Sequence, residues 1–353
     1  LNNEIFSFYH KNDSKLRAFI SYQMRKKNEN SLDLTNVEIN GYKLTEEIAR
    51  TNHSYVYKAE SLSDNHLRCF KFIERDRKSE TAAAPQLFKT ESHALTILNH
   101  SSIVKVYDYL VSEHFFVLIM DYMNGGDLNT ILSKRQFLDN QQIQQIIYTL
   151  ILGIQYSHIR NVAHHCIKPS NILLNNHKAA LSDFGIEVLR KKGEKKDLNS
   201  LSYTAPELLE QNDNADDFSE NDKPADIWSI GVILFQMLNG KPPWNSTNYK
   251  DLVNQIKKGI YTFSPKVPPL ARDLITRMLD ADPLHRITCH EILAHPWLSK
   301  VKSSTIRSNH GKFFLTHSMN DFGLRPSLIP NDSQSEGQSR QNRSIVTHVS
   351  TFS

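Results

Sequence analysis

The hydrophobic pattern passes from mainly strand spacing to mainly helical spacing along the chain, and that change constrains the fold more than any other feature. From Tyr42 to Asp121 the apolar residues come mainly in short segments of strand character. Ser54 to Ala59 alternates through Tyr55, Val56 and Tyr57, and Arg68 to Ile73, Ile103 to Tyr109 and Phe115 to Asp121 read as further strands. One helical stretch, 86–99, interrupts them, with Leu87, Phe88, Glu91, Ala94, Leu95 and Leu98 near a 3.6-residue period. Asn124-Gly125-Gly126 then breaks the chain. Beyond it helical spacing dominates, in 141–160, 226–238, 249–258, 268–279 and 288–294. A strand-rich part followed by a helix-rich part predicts an α+β protein of two lobes joined near Met123.

The flanks differ from this centre. Residues 1–41 are polar and Asn-rich. Within them Leu16, Phe19, Ile20 and Met24 fall at helical spacing ahead of Arg25, Lys26 and Lys27. A basic amphipathic helix of this kind can touch a membrane surface or a partner; the plainer reading is a short helix packed on the neighbouring domain, or frayed. After Leu298 the chain turns rich in Ser, Asn, Gln and Arg, and the tail 299–353 is expected to be disordered, for want of apolar area to offset its ordering entropy. Residue 1 is Leu rather than Met, so the natural N-terminus is expected upstream; no secretory signal pattern occurs in the residues present.

Composition narrows the function classes. A net charge of +4 over 353 residues gives no case for nucleic acid as the main partner. Cys69, Cys166 and Cys289 are odd in number and far apart, which excludes a disulfide framework or a CxxC metal knuckle and points to a reducing, cytoplasmic compartment. No apolar run approaches the ~18 residues a membrane span needs.

Chemistry-bearing residues recur in a fixed order. Lys71 lies in Cys69-Phe70-Lys71-Phe72, and Glu91 opens Glu91-Ser92-His93-Ala94-Leu95. Lys168-Pro169-Ser170-Asn171 is followed twelve residues after Asn171 by Asp183-Phe184-Gly185. Ala205-Pro206-Glu207, Asp226-Ile227-Trp228-Ser229-Ile230-Gly231 and Arg286-Ile287-Thr288 complete the series. This order and spacing resemble the protein kinase family from about residue 42 to 298. The resemblance implies a two-lobed kinase-like fold: a small antiparallel β-sheet lobe with one helix at 42–122, and a larger helical lobe at 124–298. It implies that Lys71 pairs with Glu91 and holds ATP phosphates, and that Asp183 and Asn171 ligate Mg²⁺, a hard cation preferring oxygen donors. It places Lys168 on the transferring phosphate, as in Ser/Thr-type kinases. Ala49, Val56, Cys69, Met120 and Leu173 are placed around the nucleotide. Arg286 is implied to pair with Glu207 as a structural link. Asp282-Pro283 through His295-Pro296-Trp297-Leu298 looks most like the calmodulin-dependent group.

Two departures bear on activity. The family's His-Arg-Asp reads His164-His165-Cys166 here. The family's aspartate orients the acceptor hydroxyl and takes its proton. A cysteine thiol with an ordinary pKa near ~8.5 is mostly neutral at pH 7 and a weak acceptor. Losing a positioned base costs roughly 10²–10⁴ in rate, or about 3–5 kcal/mol of barrier. The glycine-rich loop falls on 49–56, which contains no glycine. Ala49, Thr51 and Ser54 each add a Cβ where backbone should approach phosphate, and Thr51 is β-branched and stiff.

Other features have weaker meanings. His165 replaces an arginine that gathers an activation-loop phosphate in the family, with Ser200 and Ser202 as the nearest candidate phosphosites. Lys191, Lys192, Lys195 and Lys196 read as solvation of that loop. His158, His164, His165 and Cys166 can be drawn as a zinc cluster, but adjacent residues rarely converge on one centre, and the family sets His164 in a hydrophobic spine with Phe184. The acidic stretch Asp213 to Asp222 reads as a solvated insertion. The expectation is a pseudokinase with residual ATP and Mg²⁺ binding that acts through protein contacts as a signalling scaffold or allosteric partner. The alternative is an active Ser/Thr kinase that transfers the γ-phosphate of ATP to a protein substrate.

Overall fold

A computed structural model describes residues 33–51, 54–75, 95–111, 115–134, 138–175, 179–184, 198–209 and 222–301. Glu91, the possible amphipathic helix at 16–24, the lysines at 191–196, most of the acidic stretch and the tail beyond 301 lie outside these residues.

The first lobe is a six-stranded antiparallel sheet in the order β1-β2-β3-β4-β6-β5. Its strands are β1 (Glu38–Ile39), β2 (Tyr42–Arg50), β3 (Ser54–Ser61), β4 (Leu67–Glu74), β5 (Val106–Val111) and β6 (Phe115–Asp121). Alternation along a strand sends successive side chains to opposite faces, and here each face has its own core. Phe70 and Phe72 of β4 join Phe115, Val117 and Ile119 of β6 on the outer face, with Tyr57 edge-on to Phe72 at 6.0 Å. Cys69 and Ile73, with Phe116, Leu118 and Met120, join the core shared with the second lobe. Lys71, between Cys69 and Ile73, is therefore carried on the face toward that lobe.

The sheet begins earlier and later than its pattern implies. Leu34 is fully buried and Ile39 nearly so in the outer core, so packing extends upstream of Tyr42. The strand read at 103–109 is observed at Val106–Val111. Ile103 and Val104 are drawn instead to Leu181 of the second lobe, by a β-bridge and a 2.8 Å hydrogen bond respectively.

The connection through Gly125 packs tightly. A Cβ at Gly125 would lie 2.7 Å from the Leu174 carbonyl oxygen, which its own N–H meets at 2.9 Å. The second lobe contains helices α1 (Leu128–Ser133), α2 (Asn140–Ile159), α3 (Leu198–Leu201), α4 (Lys223–Asn239), α5 (Tyr249–Lys258), α6 (Pro269–Met278) and α7 (Cys289–Ala294), with the hairpin β7 (Ile172–Leu174) and β8 (Ala179–Leu181). In α2 a capping box joins Asp139 and Gln142, and Ile143, Ile146, Ile147, Leu150, Ile151 and Ile154 form the buried stripe. Helix α4 is buried through eleven consecutive residues, Ala225 to Phe235, and lies at the centre of this lobe. Gly231 lets it approach α6, because a Cβ there would stand 2.9 Å from Met278 Cβ. Trp228 stacks on Trp244 at 5.3 Å, and Arg286 reaches Glu207 through two hydrogen bonds of 2.6 and 2.9 Å. Among the described residues no helix is long and apolar enough to cross a membrane.

Candidate active site

The site is built on the loop 164–171, which enters the β7–β8 hairpin, and on the turn 182–184 that leaves it. Asp226 in the first turn of α4 fixes the entry. Its Oδ2 accepts from the His164 N–H at 2.8 Å, its Oδ1 accepts from the His165 N–H at 3.0 Å, and its Oδ2 meets His158 Nε2 at 2.8 Å. Burial alone would raise the pKa of this carboxyl, but the bond from His158, the nearby imidazoles and the His164 N–H outweigh it and hold the group below the ordinary carboxylate range. His165 adopts a positive φ of 64°.

His164 is fully buried, and its ring lies 4.3 Å from that of Phe184. Burial pushes its pKa down, so the neutral imidazole is favoured. Its Nδ1 accepts from the Cys166 N–H at 3.3 Å. His158 thus turns to Asp226 while His164 turns to Phe184, and the two do not point at a common centre.

Cys166 is partly exposed and follows directly. The side-chain amide of Asn171 donates to its carbonyl oxygen at 2.8 Å and approaches its Sγ at 3.6 Å. Lys168 Nζ donates to Ser200 Oγ at 2.8 Å. Across the cleft, Lys71 Nζ meets Asp183 Oδ2 at 2.7 Å, with both side chains largely buried. Asp183 has a φ of 66°, a left-handed conformation that swings its carboxylate toward β4 and marks the turn as a special backbone position.

The residues placed around the nucleotide are brought together. Cys69 faces Met120 across the β4–β6 ladder, and Val56 faces Lys71 across β3–β4. Cys69 and Met120 are buried in the shared core, with Val56 and Leu173 packed against it. Burial raises the Cys69 thiol to about 12, so this cysteine is an apolar wall rather than a nucleophile. Ala49 is exposed opposite Val56. Asp183 and Asn171 carry oxygen donors of the kind Mg²⁺ takes, with the Asp183 carboxylate already engaged by Lys71; an ion held there would supply positive charge that offsets phosphate charge.

Four features were missed by the sequence reading. The glycine-free loop is closed by its own side chains, because Thr51 Oγ1 and Ser54 Oγ lie 2.8 Å apart and the Thr51 N–H donates to the Ser54 carbonyl at 2.8 Å. Arg50 is clamped by both oxygens of Glu47 at 2.6 Å. Ser200 and Ser202, taken as candidate phosphosites, are buried, and their hydroxyls hydrogen-bond Lys168 and the Leu198 carbonyl; neither is presented to a modifying enzyme in this conformation. Asp222, the end of the acidic stretch read as solvated, is buried 3.6 Å from His165 Nδ1.

The model of the protein kinase domain matches residues 42–298. The chain belongs to the protein kinase family. Aurora kinase C of Mus musculus is 29% identical over 262 residues, covering 74% of this chain and 92% of that protein. The SNF-related serine/threonine-protein kinase of Rattus norvegicus is 32% identical over 269 residues, covering 74% of this chain and 35% of that protein. A probable serine/threonine-protein kinase of Dictyostelium discoideum is 30% identical over 230 residues, 64% of this chain and 27% of its own length. The chain thus spans nearly all of one relative and about a third or less of the other two. Within the kinase domain the Arg286–Glu207 link and the His164–Phe184 ring contact stand where the resemblance put them. Glu91, the expected partner of Lys71, lies outside the described residues.

Proposed function

We propose that this chain is a pseudokinase: a protein kinase domain that binds adenine nucleotide weakly and acts through protein contacts, as a signalling scaffold or allosteric partner. The observation that carries the reading is the environment of Cys166. At the position of the family's aspartate the cleft holds a thiol, which the Asn171 amide approaches at 3.6 Å and whose backbone N–H donates to His164 Nδ1 at 3.3 Å. A thiol lacks the fixed charge needed to orient an acceptor hydroxyl and receive its proton. The glycine-free hairpin, with Thr51 Oγ1 and Ser54 Oγ 2.8 Å apart, supports an independent loss, since each residue adds a Cβ where the family's glycines let backbone approach phosphate.

Retention of Lys71, Asp183, Asn171, Lys168 and the apolar wall of Val56, Cys69, Met120 and Leu173 supports nucleotide contact. The same retention favours a second reading, a slow Ser/Thr kinase, because phosphoryl transfer is mostly positioning and electrostatics. The nearest group remains a proposal as well: the Asp282-Pro283 to Trp297 segment supports the calmodulin-dependent group. The two functional readings separate in a phosphate-transfer assay on a generic protein substrate. The pseudokinase reading expects wild-type turnover roughly 10²–10⁴ below an ordinary kinase; turnover at ordinary speed would establish the enzyme instead.

A further inference from the structure

The phosphate end of the cleft has an uneven charge balance. Among the described residues it holds two ammonium groups, Lys71 and Lys168, and one carboxylate, Asp183. That carboxylate is already in contact with Lys71 at 2.7 Å, and the two side chains are only 15% and 16% exposed. Lys168 is partly buried, and its hydrogen-bond partner is the neutral hydroxyl of Ser200. Two residues before it, Cys166 puts a thiol where a carboxylate would have balanced the charge. His165, Cys166, Lys168, Ser200 and Asp226 border one narrow cleft of about 20 Å³, room for about one water, and the Asp226 carboxylate there is already met by the His164 and His165 N–H groups and by His158. A cation whose hydrogen-bond partner is a neutral hydroxyl favours the arrival of an anion.

A divalent cation meets the opposite situation. To settle beside Asp183 it competes with an ammonium already on the carboxylate. The other oxygen donor is a neutral amide, Asn171, whose nitrogen is committed to the Cys166 carbonyl. Hard divalent cations draw their affinity mainly from anionic oxygen, and among the described residues this end of the cleft offers one such group, already paired with Lys71.

Resting on the nucleotide-binding reading above, we propose that this chain holds the polyphosphate of a nucleotide directly with Lys71 and Lys168, so that binding does not depend on a divalent cation. Asp183 then keeps Lys71 in place as a positioning residue, and the missing carboxylate at 166 leaves Lys168 available to phosphate oxygen.

The test is calorimetric titration of ATP into the full chain, once in EDTA and once in millimolar magnesium chloride. The dissociation constants are expected to agree within about threefold, and tightening by about tenfold or more in magnesium would overturn the proposal. Lys168→Met is expected to weaken the metal-free binding about tenfold, with its thermal transition checked for folding; unchanged affinity in a folded variant would also overturn it. Cys166→Asp restores the balancing carboxylate, so metal-free binding is expected to weaken and a magnesium dependence to emerge. If magnesium proves essential, the nucleotide reading survives and this inference fails. If the folded protein binds ATP in neither buffer, both fail.

Discussion

Two carboxylates flank the same loop, and their surroundings differ. Asp226, behind the loop, collects two backbone N–H groups and an imidazole in full burial, and the α4 region around it keeps its Glu207–Arg286 link and stacked tryptophans. Asp183, in front, meets the Lys71 ammonium at 2.7 Å on the cleft side. The back of the loop is held by buried contacts. On the pseudokinase proposal, a replacement at the front such as Cys166 would remove chemistry at little cost in packing. A kinase fold can therefore be kept intact while its reactive face is rebuilt.

That contrast can be broken at either end. The largest effect is expected at Arg286, whose side chain is fully buried on Glu207. Arg286→Ala leaves the carboxylate without its partner and should cost about 3–5 kcal/mol in urea unfolding; a loss below about 1 kcal/mol would mean that the large-lobe anchor is not what holds this fold. Next comes Asp226→Asn, which should cost about 1–3 kcal/mol at neutral pH by leaving a buried donor poorly met.

The same substitution has a pH signature. Asp226 is held below the ordinary carboxylate range, so its contribution is present above its unfolded pKa and is lost as pH falls through the folded one. His164 is also depressed, by burial, so stability should begin to fall as pH drops below its ordinary value near ~6.5. Melting curves between neutrality and strong acid should show both steps in the wild type, and only the milder one in Asp226→Asn. An identical acid limb in the two proteins would remove Asp226 from the account.

Changes at the front should cost less stability than the loss of Arg286. Thr51→Gly with Ser54→Gly opens the side-chain closure and should cost about 1–2 kcal/mol through added chain entropy, while tightening ATP several-fold in a binding titration. No gain in affinity would show that the closed hairpin is not what weakens phosphate contact. Smallest of all, Cys166→Ala is expected to change unfolding free energy by about 1 kcal/mol or less, because the residue is partly exposed and the Asn171 approach to its Sγ is a long 3.6 Å.

Much of the fold was legible because its elements carry strong local signals. The strand Phe115–Asp121 and the helix Tyr249–Lys258 fall where the pattern put them: the first is a continuous apolar run, and the second is capped by Asn248 and closed by Gly259. Leu34 was not legible, since a single leucine in a polar stretch gives no period, and only the sheet supplies its pocket. Ile103 reads as strand from its residue type, but the pull of Leu181 is tertiary. At the site, the motif residues were legible by order and spacing. The partners that decide their behaviour were not. Ser200 is a hydroxyl in a loop until the fold buries it against Lys168, and the Thr51–Ser54 closure depends on hairpin register. Asp222 reads as one acid among several until α4 draws it inside.

The most direct test is a single comparison of phosphate transfer to protein serine and threonine by the wild-type chain and by Cys166→Asp, at saturating ATP with magnesium. The expected result is a wild-type rate near background and a gain of roughly 10²-fold or more on restoring the carboxylate. A wild-type rate equal to that of the aspartate variant, at ordinary kinase speed, would contradict the account.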